Sequence, residues 1–310
     1  MRTILRHRIP SNLAASIRYH HGTVTLCVRC RAPIDAQVWQ CATCGWQAER
    51  RDGITILVPD ADEVSQAFST EQFQNLLTVE SRHFWFVARN KLITWALRRF
   101  FPGARTFLEV GCGTGQVLRA LAQAMPSLRM TGLEASFDGL RFLVERVPRL
   151  EAVQAAATAL PYESEFDVVG AFDVLEHIPD DSAAMNEIAR SVKPGGGVLL
   201  TVPQHPRLWS SLDRYSGHQR RYTRRGLTTL VRDAGLDVLF ATSFVSFLLP
   251  ALFLSRMRQQ SAHVDPMQEF RISPAANALG RTTMAIERRI IAAGVSLPAG
   301  GSVLLVARRA

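Results

Sequence analysis

Short apolar runs alternate along the chain with stretches whose apolar residues recur at every third or fourth position. The first pattern predicts strands and the second predicts helices, so together they predict an α/β fold. The predicted strands end at Val110 or span 130–134, 165–172, 198–202, 236–243 and 302–308. The predicted helices span 63–77, 81–101, 116–124, 183–192 and 224–234, and a further one has Ser273 as its N-cap and ends at Gly294.

These elements divide the chain into three parts. Residues 1–22 are basic and aperiodic, so we expect a disordered arm there. Residues 23–59 hold four cysteines, and residues 60–310 carry the α/β core, with a helical lid at 60–104 and an insertion at 244–300 before the last strand. A chain of 310 residues with 47% hydrophobic residues can bury one full core and carry a small extra module.

A glycine-rich turn follows the strand that ends at Val110. Gly111, Gly113 and Gly115 alternate along this turn, and Glu109 precedes the first glycine by two positions. Bare backbone before a helix N-terminus allows a ligand to lie close to unpaired N–H groups. Glu134 ends the next strand about 20 residues further on, where the dinucleotide fold places a ribose-binding carboxylate, although the glycine spacing is not the dinucleotide one.

The turn and three later segments resemble class I S-adenosylmethionine (SAM) methyltransferases, including the ubiquinone O-methyltransferase group. These segments read EVGCGTG, FDVV, DVLEHIPD and VKPGGGVLLTVP. The resemblance implies a Rossmann-like, doubly wound sheet of seven strands, with a helical insertion between strands six and seven. It also implies SAM as cofactor, bound by Glu109, Gly111, Gly113, Gly115, Glu134 and Asp173.

Two further positions bear on the cofactor through the same resemblance. Arg89 lies in an aromatic helix before the glycine turn, where such enzymes can bind the methionine carboxylate through a guanidinium group. The acid that hydrogen-bonds the adenine in many relatives is replaced here by Ala156. Backbone groups near Ala157 or Thr158 would then hold the adenine.

Candidate chemistry follows the fourth strand of the core. Asp173, Glu176 and His177 fall at its carboxyl end, where open α/β sheets bind ligands. His177 is a candidate general base. The same residues are candidates to bind a divalent cation together with a distant histidine such as His218, and a purely structural role is the third alternative. His218 and Arg221 belong to a GHQRRY segment that resembles an element of a broad bacterial methyltransferase group.

Four cysteines form two C-x-x-C pairs, which are typical of a zinc ribbon. The pairs are Cys27 with Cys30, and Cys41 with Cys44. Two such pairs complete a tetrahedral sulfur site, and a site filled by four protein ligands is structural. Short strands are expected at 37–39 and 53–58. A redox pair or disulfides are the alternatives, but no secretory signal is evident and we expect a reducing, cytoplasmic setting.

Composition and charge leave the methyl acceptor open. The net charge of +9 comes almost entirely from arginine, which indicates a bacterial genome bias more than a binding surface. The uncharged run 238–255 begins as a strand and contains Pro250, so no transmembrane span is predicted. An apolar helix there could line a pocket for a small, hydrophobic or lipid-linked acceptor, or touch a membrane surface. An RNA methyltransferase using the ribbon and Arg220–Arg225, and a catalytically inactive SAM-binding module, are the alternatives.

Overall fold

The structure is a computed structural model that describes residues 24–36, 38–58, 69–259 and 270–310. Its strands are β1 (Val24–Leu26), β2 (Pro33–Ile34), β3 (Glu49–Arg51), β4 (Ile54–Ile56), β5 (Thr106–Val110), β6 (Arg129–Glu134), β7 (Glu151–Gln154), β8 (Tyr162–Glu163), β9 (Phe166–Phe172), β10 (Val192–Pro203), β11 (Leu236–Phe244) and β12 (Ser302–Arg309). Its helices are α1 (Thr70–Val79), α2 (Phe84–Phe100), α3 (Gln116–Ala124), α4 (Phe137–Arg146), α5 (Asp181–Ser191), α6 (Ser211–Tyr215), α7 (Arg224–Asp233), α8 (Leu249–Gln259) and α9 (Pro274–Ala292). The predicted arm at 1–22 lies outside the described residues.

Seven strands form the expected central sheet in the order β7-β6-β5-β9-β10-β12-β11. Neighbours from β7 to β10 run parallel, whereas β12 is antiparallel to both β10 and β11. One apolar core forms on each face of the sheet, with α2, α3, α4 and α9 on one side and α5 and α7 on the other. The predicted doubly wound α/β fold is therefore confirmed, and the carboxyl ends of β5, β6 and β9 meet at one edge.

The cysteine-rich segment is continuous with this sheet. β4 pairs in parallel with β7, and β3 adds the outermost strand, so the sheet has nine strands in all. β1 pairs with β8, in the connection between β7 and β9. Trp39 is 2% exposed, and its indole N–H donates to Glu151 of β7. The cysteine-rich segment therefore shares hydrogen bonds and a core with the rest of the molecule.

Several boundaries differ from the sequence predictions for local reasons. α1 begins at Thr70 after the Ser69 cap, and the 63–68 part of the predicted helix lies outside the described residues. α2 begins three residues late because the His83 imidazole accepts a hydrogen bond from Trp85 N and caps the helix. The strand predicted at 37–39 is wrong, since Trp39 lies in a turn with φ of 48°.

The insertion forms helices on both sides of residues 260–269, which are not described. Pro250 does not interrupt an element there, because it lies in the first turn of α8, where a missing N–H costs no hydrogen bond. The N-cap predicted at Ser273 is confirmed: its hydroxyl accepts from Ala276 N. Within the described ranges, no helix combines the length and the apolar character needed to cross a membrane.

Candidate functional site

The glycine turn joins β5 to α3 and requires glycine at three points. Gly111, Gly113 and Gly115 have φ of 70°, 50° and 77°, a region that side chains strain. A Cβ on Gly111 would collide with Val174, and one on Gly115 with Leu143. A Cβ on Gly113 would have a ring atom of Phe73, at 3.7 Å, as its only neighbour within 4 Å. A side chain at Gly113 would therefore extend into the open space of the cavity.

Glu134 lies beside this turn at the end of β6. One carboxylate oxygen accepts from Gly113 N at 2.9 Å, and the other accepts from Ala135 N and Ser136 N at 2.8 and 3.1 Å. These bonds fix the carboxylate at the cavity wall. A carboxylate only accepts hydrogen bonds and has about four lone-pair sites, of which these three bonds use three. Its place at the strand end beside the glycine turn is where the related dinucleotide fold binds ribose hydroxyls.

Glu109 lies under the turn and is only 2% exposed, although it lines the same cavity. Burial raises its pKa to about 8, and the neighbouring charge of Arg89 partly opposes that shift. No described residue donates a hydrogen bond to its Oε2 atom. A cation bound in the cavity would therefore favour the ionised form of this carboxyl group.

Arg89 and Asp173 form an ion pair in the cavity. Arg89 NH1 lies 2.5 Å from Asp173 Oδ2, and the guanidinium stacks over Trp85. Asp173 has φ of 57°, and Thr201 fixes it through a hydroxyl bond of 3.0 Å and a backbone bond. A non-glycine residue held in this conformation is typical of functional sites. The structure therefore brings both predicted cofactor residues to the cavity, with Arg89 directed at a carboxylate.

A buried ionic cluster that the sequence did not reveal supports the glycine turn. Glu80 is 3% exposed, pairs with Arg146, and accepts from the Thr114 hydroxyl at 2.8 and 2.9 Å. It joins the end of α1 to the turn and to α4. Thr114 and Arg146 lie 34 and 66 positions after Glu80 in the sequence, so no local pattern predicts this cluster.

Glu176, His177 and His218 meet at the cavity wall, with their candidate ligand atoms within 4.8 Å of one another. The two imidazole rings stand edge to face, 4.6 Å apart. Glu176 is fully buried, no described residue donates to its oxygens, and burial holds its pKa well above the ordinary value. The structure therefore brings together three members of the predicted cation set, Glu176, His177 and the distant His218. The fourth, Asp173, is paired with Arg89 instead.

Burial also weakens His177 as a base. Desolvation, with a smaller effect of His218, lowers the pKa of His177 to about 3. A hydrogen bond to the Ser216 backbone opposes this shift only in part. An imidazole of such low basicity takes up a proton poorly near neutral pH.

Asp213, which sequence reasoning missed, lies behind His218. Its carboxylate is 1% exposed, with contacts to Arg221, Arg256 and His218 at 2.8, 3.0 and 2.8 Å. The cost of burial is exceeded by the His218 hydrogen bond and the two guanidinium charges, which hold its pKa well below the usual range. Arg221 and His218 both line the cavity, and Asp213 joins them as a shared acid.

The site residues line one cavity of about 810 Å³. The glycine turn, Glu134, residues 155–158, His177 and His218 all line it. The rest of the lining is largely apolar and includes Phe73, Leu76, Phe84, Phe86, Val245, Leu252 and Phe270. This volume falls within the range of about 300–1,000 Å³ that is typical of ligand sites.

The four cysteines form a separate cluster. Sγ atoms lie 3.7 Å apart for Cys27 and Cys44, and 3.6 Å apart for Cys30 and Cys41. All four sulfurs lie within 4.8 Å of one another. Zinc–sulfur bonds of about 2.3 Å in a tetrahedron place sulfurs about 3.8 Å apart, so the cluster fits one zinc ion.

Comparison with known proteins agrees with this geometry. A family model described as a methyltransferase domain matches residues 79–240. The ubiquinone biosynthesis O-methyltransferase of Pseudomonas paraeruginosa is 31% identical over 167 residues, which cover 47% of this chain and 70% of that protein. The trans-aconitate 2-methyltransferase of an Azoarcus species is 28% identical, over 33% of this chain and 40% of that one.

Among solved structures, the phosphoethanolamine N-methyltransferase 2 of Haemonchus contortus, in complex with SAM, is 21% identical with a TM-score of 0.48. The match covers 71% of this chain and 52% of that one.

The chain belongs to the methyltransferase family and is a SAM-dependent enzyme of class I. The glycine backbone, the carboxylate of Glu134 and the buried acid Glu109 fit this cationic nucleoside cofactor.

Proposed function

We propose that the enzyme methylates a small molecule that carries an apolar portion beside the reacting group. The observation that carries this proposal is the cavity of about 810 Å³, which is lined by the glycine turn, the histidine pair and several aromatic side chains. Ligand pockets of this kind combine apolar walls with a few fixed polar groups. The relatives named above for ubiquinone and trans-aconitate methylation also act on small molecules.

SAM supplies an electrophilic methyl group, and the chain's own residues would bind and orient SAM and the acceptor. The glycine turn and Glu134 would hold the nucleoside, and Arg89 would bind the carboxylate of the amino-acid portion in exchange with Asp173. The apolar wall would orient the acceptor and exclude water. Effective alignment alone lowers the barrier of a bimolecular transfer by several kcal/mol, about 7–11 in well-oriented systems.

The arginine cluster gives little support to the RNA alternative. Arg220 pairs with Asp181, Arg221 with Asp213, and Arg224 donates to Leu297 O. Guanidinium groups already bound within the protein are poorly placed to release counterions from phosphates. The intact glycine turn and the ordered cluster around Glu176 also favour catalysis over an inactive binding module.

Methyl transfer can be tested on extracted small molecules and on total RNA with SAM labelled in the methyl group. We expect label in an organic-soluble product. Leu252→Asp should lower kcat/KM by at least about tenfold, because it places a charge in the apolar wall, while SAM affinity stays the same. Phe247→Asp is the matched control, since Phe247 is 49% exposed and does not line the cavity. Transfer to RNA, or equal loss in both variants, would contradict the proposal.

A divalent cation at Glu176, His177 and His218 is the second candidate role for this cluster. Glu176 favours it, because a buried carboxyl group without a donor among the described residues is expensive unless a cation or proton balances it. Vicinal hydroxyls of an acceptor could then complete the coordination. Calorimetry with Mn²⁺ should detect one site that Glu176→Gln removes and Glu163→Gln, on a distant exposed acid, retains. Equal heats in all three proteins would exclude the site.

We also propose that Cys27, Cys30, Cys41 and Cys44 bind a structural zinc ion. The sulfur spacing supports this proposal, and it leaves no open coordination position for catalysis. Elemental analysis of protein purified without chelators should find one zinc per chain. Iron, or no metal, would contradict it.

A further inference from the structure

We propose that Asp213 is a positioning residue that fixes the tautomer of His218, so that the His218 Nε2 lone pair faces the acceptor. The inference rests on the proposed function, since it assigns a task to one residue of that site. It concerns a residue to which neither the family motifs nor the sequence pattern gave a role.

The hydrogen-bond inventory of Asp213 identifies its partners as donors. Ser210 donates its backbone N–H at 2.7 Å and its hydroxyl at 3.0 Å to Oδ2, and Arg256 NH1 approaches the same oxygen. Arg221 Nε donates to Oδ1 at 2.8 Å. A carboxylate surrounded by guanidinium and amide donors is the form that this environment stabilises.

The tautomer of His218 follows from that inventory. Its Nδ1 atom lies 2.8 Å from Asp213 Oδ1. An ionised carboxylate has no proton to give, so the hydrogen atom between the two must belong to Nδ1. In a neutral imidazole the other nitrogen, Nε2, then carries a lone pair.

The surroundings hold this arrangement rigidly. The His218 backbone N–H donates to Asp213 O at 2.9 Å, which closes the loop after α6. Arg221 NH1 also donates to Gln204 O, and Arg256 NH1 to Leu208 O, so both guanidinium groups are anchored elsewhere in the molecule. The His218 ring stands 4.6 Å from that of His177 at the cavity wall. Because His218 lines the cavity, we infer that its Nε2 lone pair faces an acceptor hydroxyl or a cation bound there.

The bond from His218 Nδ1 to Asp213 therefore assigns the role of proton acceptor to His218 Nε2. An acceptor hydroxyl would pass its proton to His218 Nε2 as the oxygen forms its bond to the methyl carbon and the carbon–sulfur bond breaks. The resulting imidazolium would be stabilised by Asp213. General bases of this kind contribute about 10²–10⁴ to rate.

Nuclear magnetic resonance of the full chain, with ¹⁵N-labelled histidine, tests the tautomer without any acceptor. The chain has eight histidines, and His218→Gln identifies the signal of interest. Spectra are recorded near pH 8.5, about two units above the ordinary imidazole pKa. We expect a protonated Nδ1 and an unprotonated Nε2 for His218 in the wild type. A protonated Nε2 in the wild type would overturn the proposal, whatever the variants do.

Asp213→Asn supplies the second readout. The asparagine amide N–H₂ group would face donors whichever way the side chain is turned, so we expect His218 to shift toward the Nε2–H tautomer. We also expect kcat to fall about 10²–10⁴-fold, with SAM affinity unchanged. Asp181→Asn is the matched control, because Asp181 also binds an arginine and a hydroxyl but does not contact His218. An unchanged tautomer in folded Asp213→Asn would contradict the proposal. Wild-type protein with the expected tautomer but no methyl transfer would contradict only the proposed function.

Discussion

Buried acids distinguish the site at the level of single residues. Glu109 and Glu176 are both inaccessible to solvent, and burial raises the pKa of each. A structural acid in a core is normally paired, because an unpaired one costs free energy on folding. Both acids line the cavity that we propose as the SAM site, where a bound cation would offset the cost of their burial.

Glu109 should therefore couple SAM binding to pH. Its raised pKa of about 8 means that the free enzyme holds this proton well above the ordinary carboxyl range, and the stability gained from the protonated form is lost as pH rises through that value. A bound sulfonium or ammonium group favours the carboxylate, so SAM binding near pH 7 should release up to about one proton. Calorimetry in buffers of different ionisation enthalpy measures this release.

The control for this measurement is Glu109→Gln, which removes the titrating group but keeps its shape. It should bind SAM with little proton release and with an affinity that is nearly constant between about pH 6 and pH 8. Equal proton release in the wild type and the variant would show that Glu109 is not the linked group.

Local spacing made some site residues predictable and not others. Gly111, Gly113 and Glu134 follow from a turn and a strand end, each defined within a few residues. Glu80 and Asp213 act through contacts with Thr114, Arg146 and His218 that only the folded chain brings together. No hydrophobic periodicity and no local motif marks such residues in the sequence, so only the structure identifies them.

At the level of elements, the cysteine-rich segment is joined to the cofactor site. Apolar periodicity predicted the strands of the core and placed a separate ribbon before them, because pairing between distant segments leaves no trace in local patterns. In the structure, Leu57 N donates to Gln154 O, and Leu26 N donates to Pro161 O. These bonds hold both ends of the connection between β7 and β8. Residues 155–158 of this connection line the cavity.

Loss of the metal site should therefore weaken cofactor binding. Cys27→Ser/Cys30→Ser should lower both the zinc content and the affinity for SAM, by about tenfold or more, because the connection that contains residues 155–158 is no longer held at both ends. Cys44→His keeps a zinc ligand and should retain most of both. A zinc-free Cys27→Ser/Cys30→Ser protein that binds SAM with wild-type affinity would show that SAM binding does not depend on the cysteine-rich segment.

At the level of the whole molecule, one cavity is lined by distant parts of the chain. Helices α1 and α2 contribute residues to it, as do the turns after β5, β6 and β9, and the late insertion contributes Val245 and Leu252. The fold class was predictable because it depends on repeated strand and helix patterns. The acceptor wall was not, because it combines residues from segments nearly 200 positions apart, such as Phe84 and Phe270.

Titration of the full chain with SAM tests the central claim most directly. We expect one site per chain in the wild type and no measurable heat with NAD, because the glycine spacing is not that of a dinucleotide fold. Gly113→Val should abolish binding while the protein stays folded by circular dichroism, because valine strains a residue at φ of 50° and fills the space left beside the turn. Wild-type protein that does not bind SAM, or a folded Gly113→Val variant with unchanged affinity, would contradict the account.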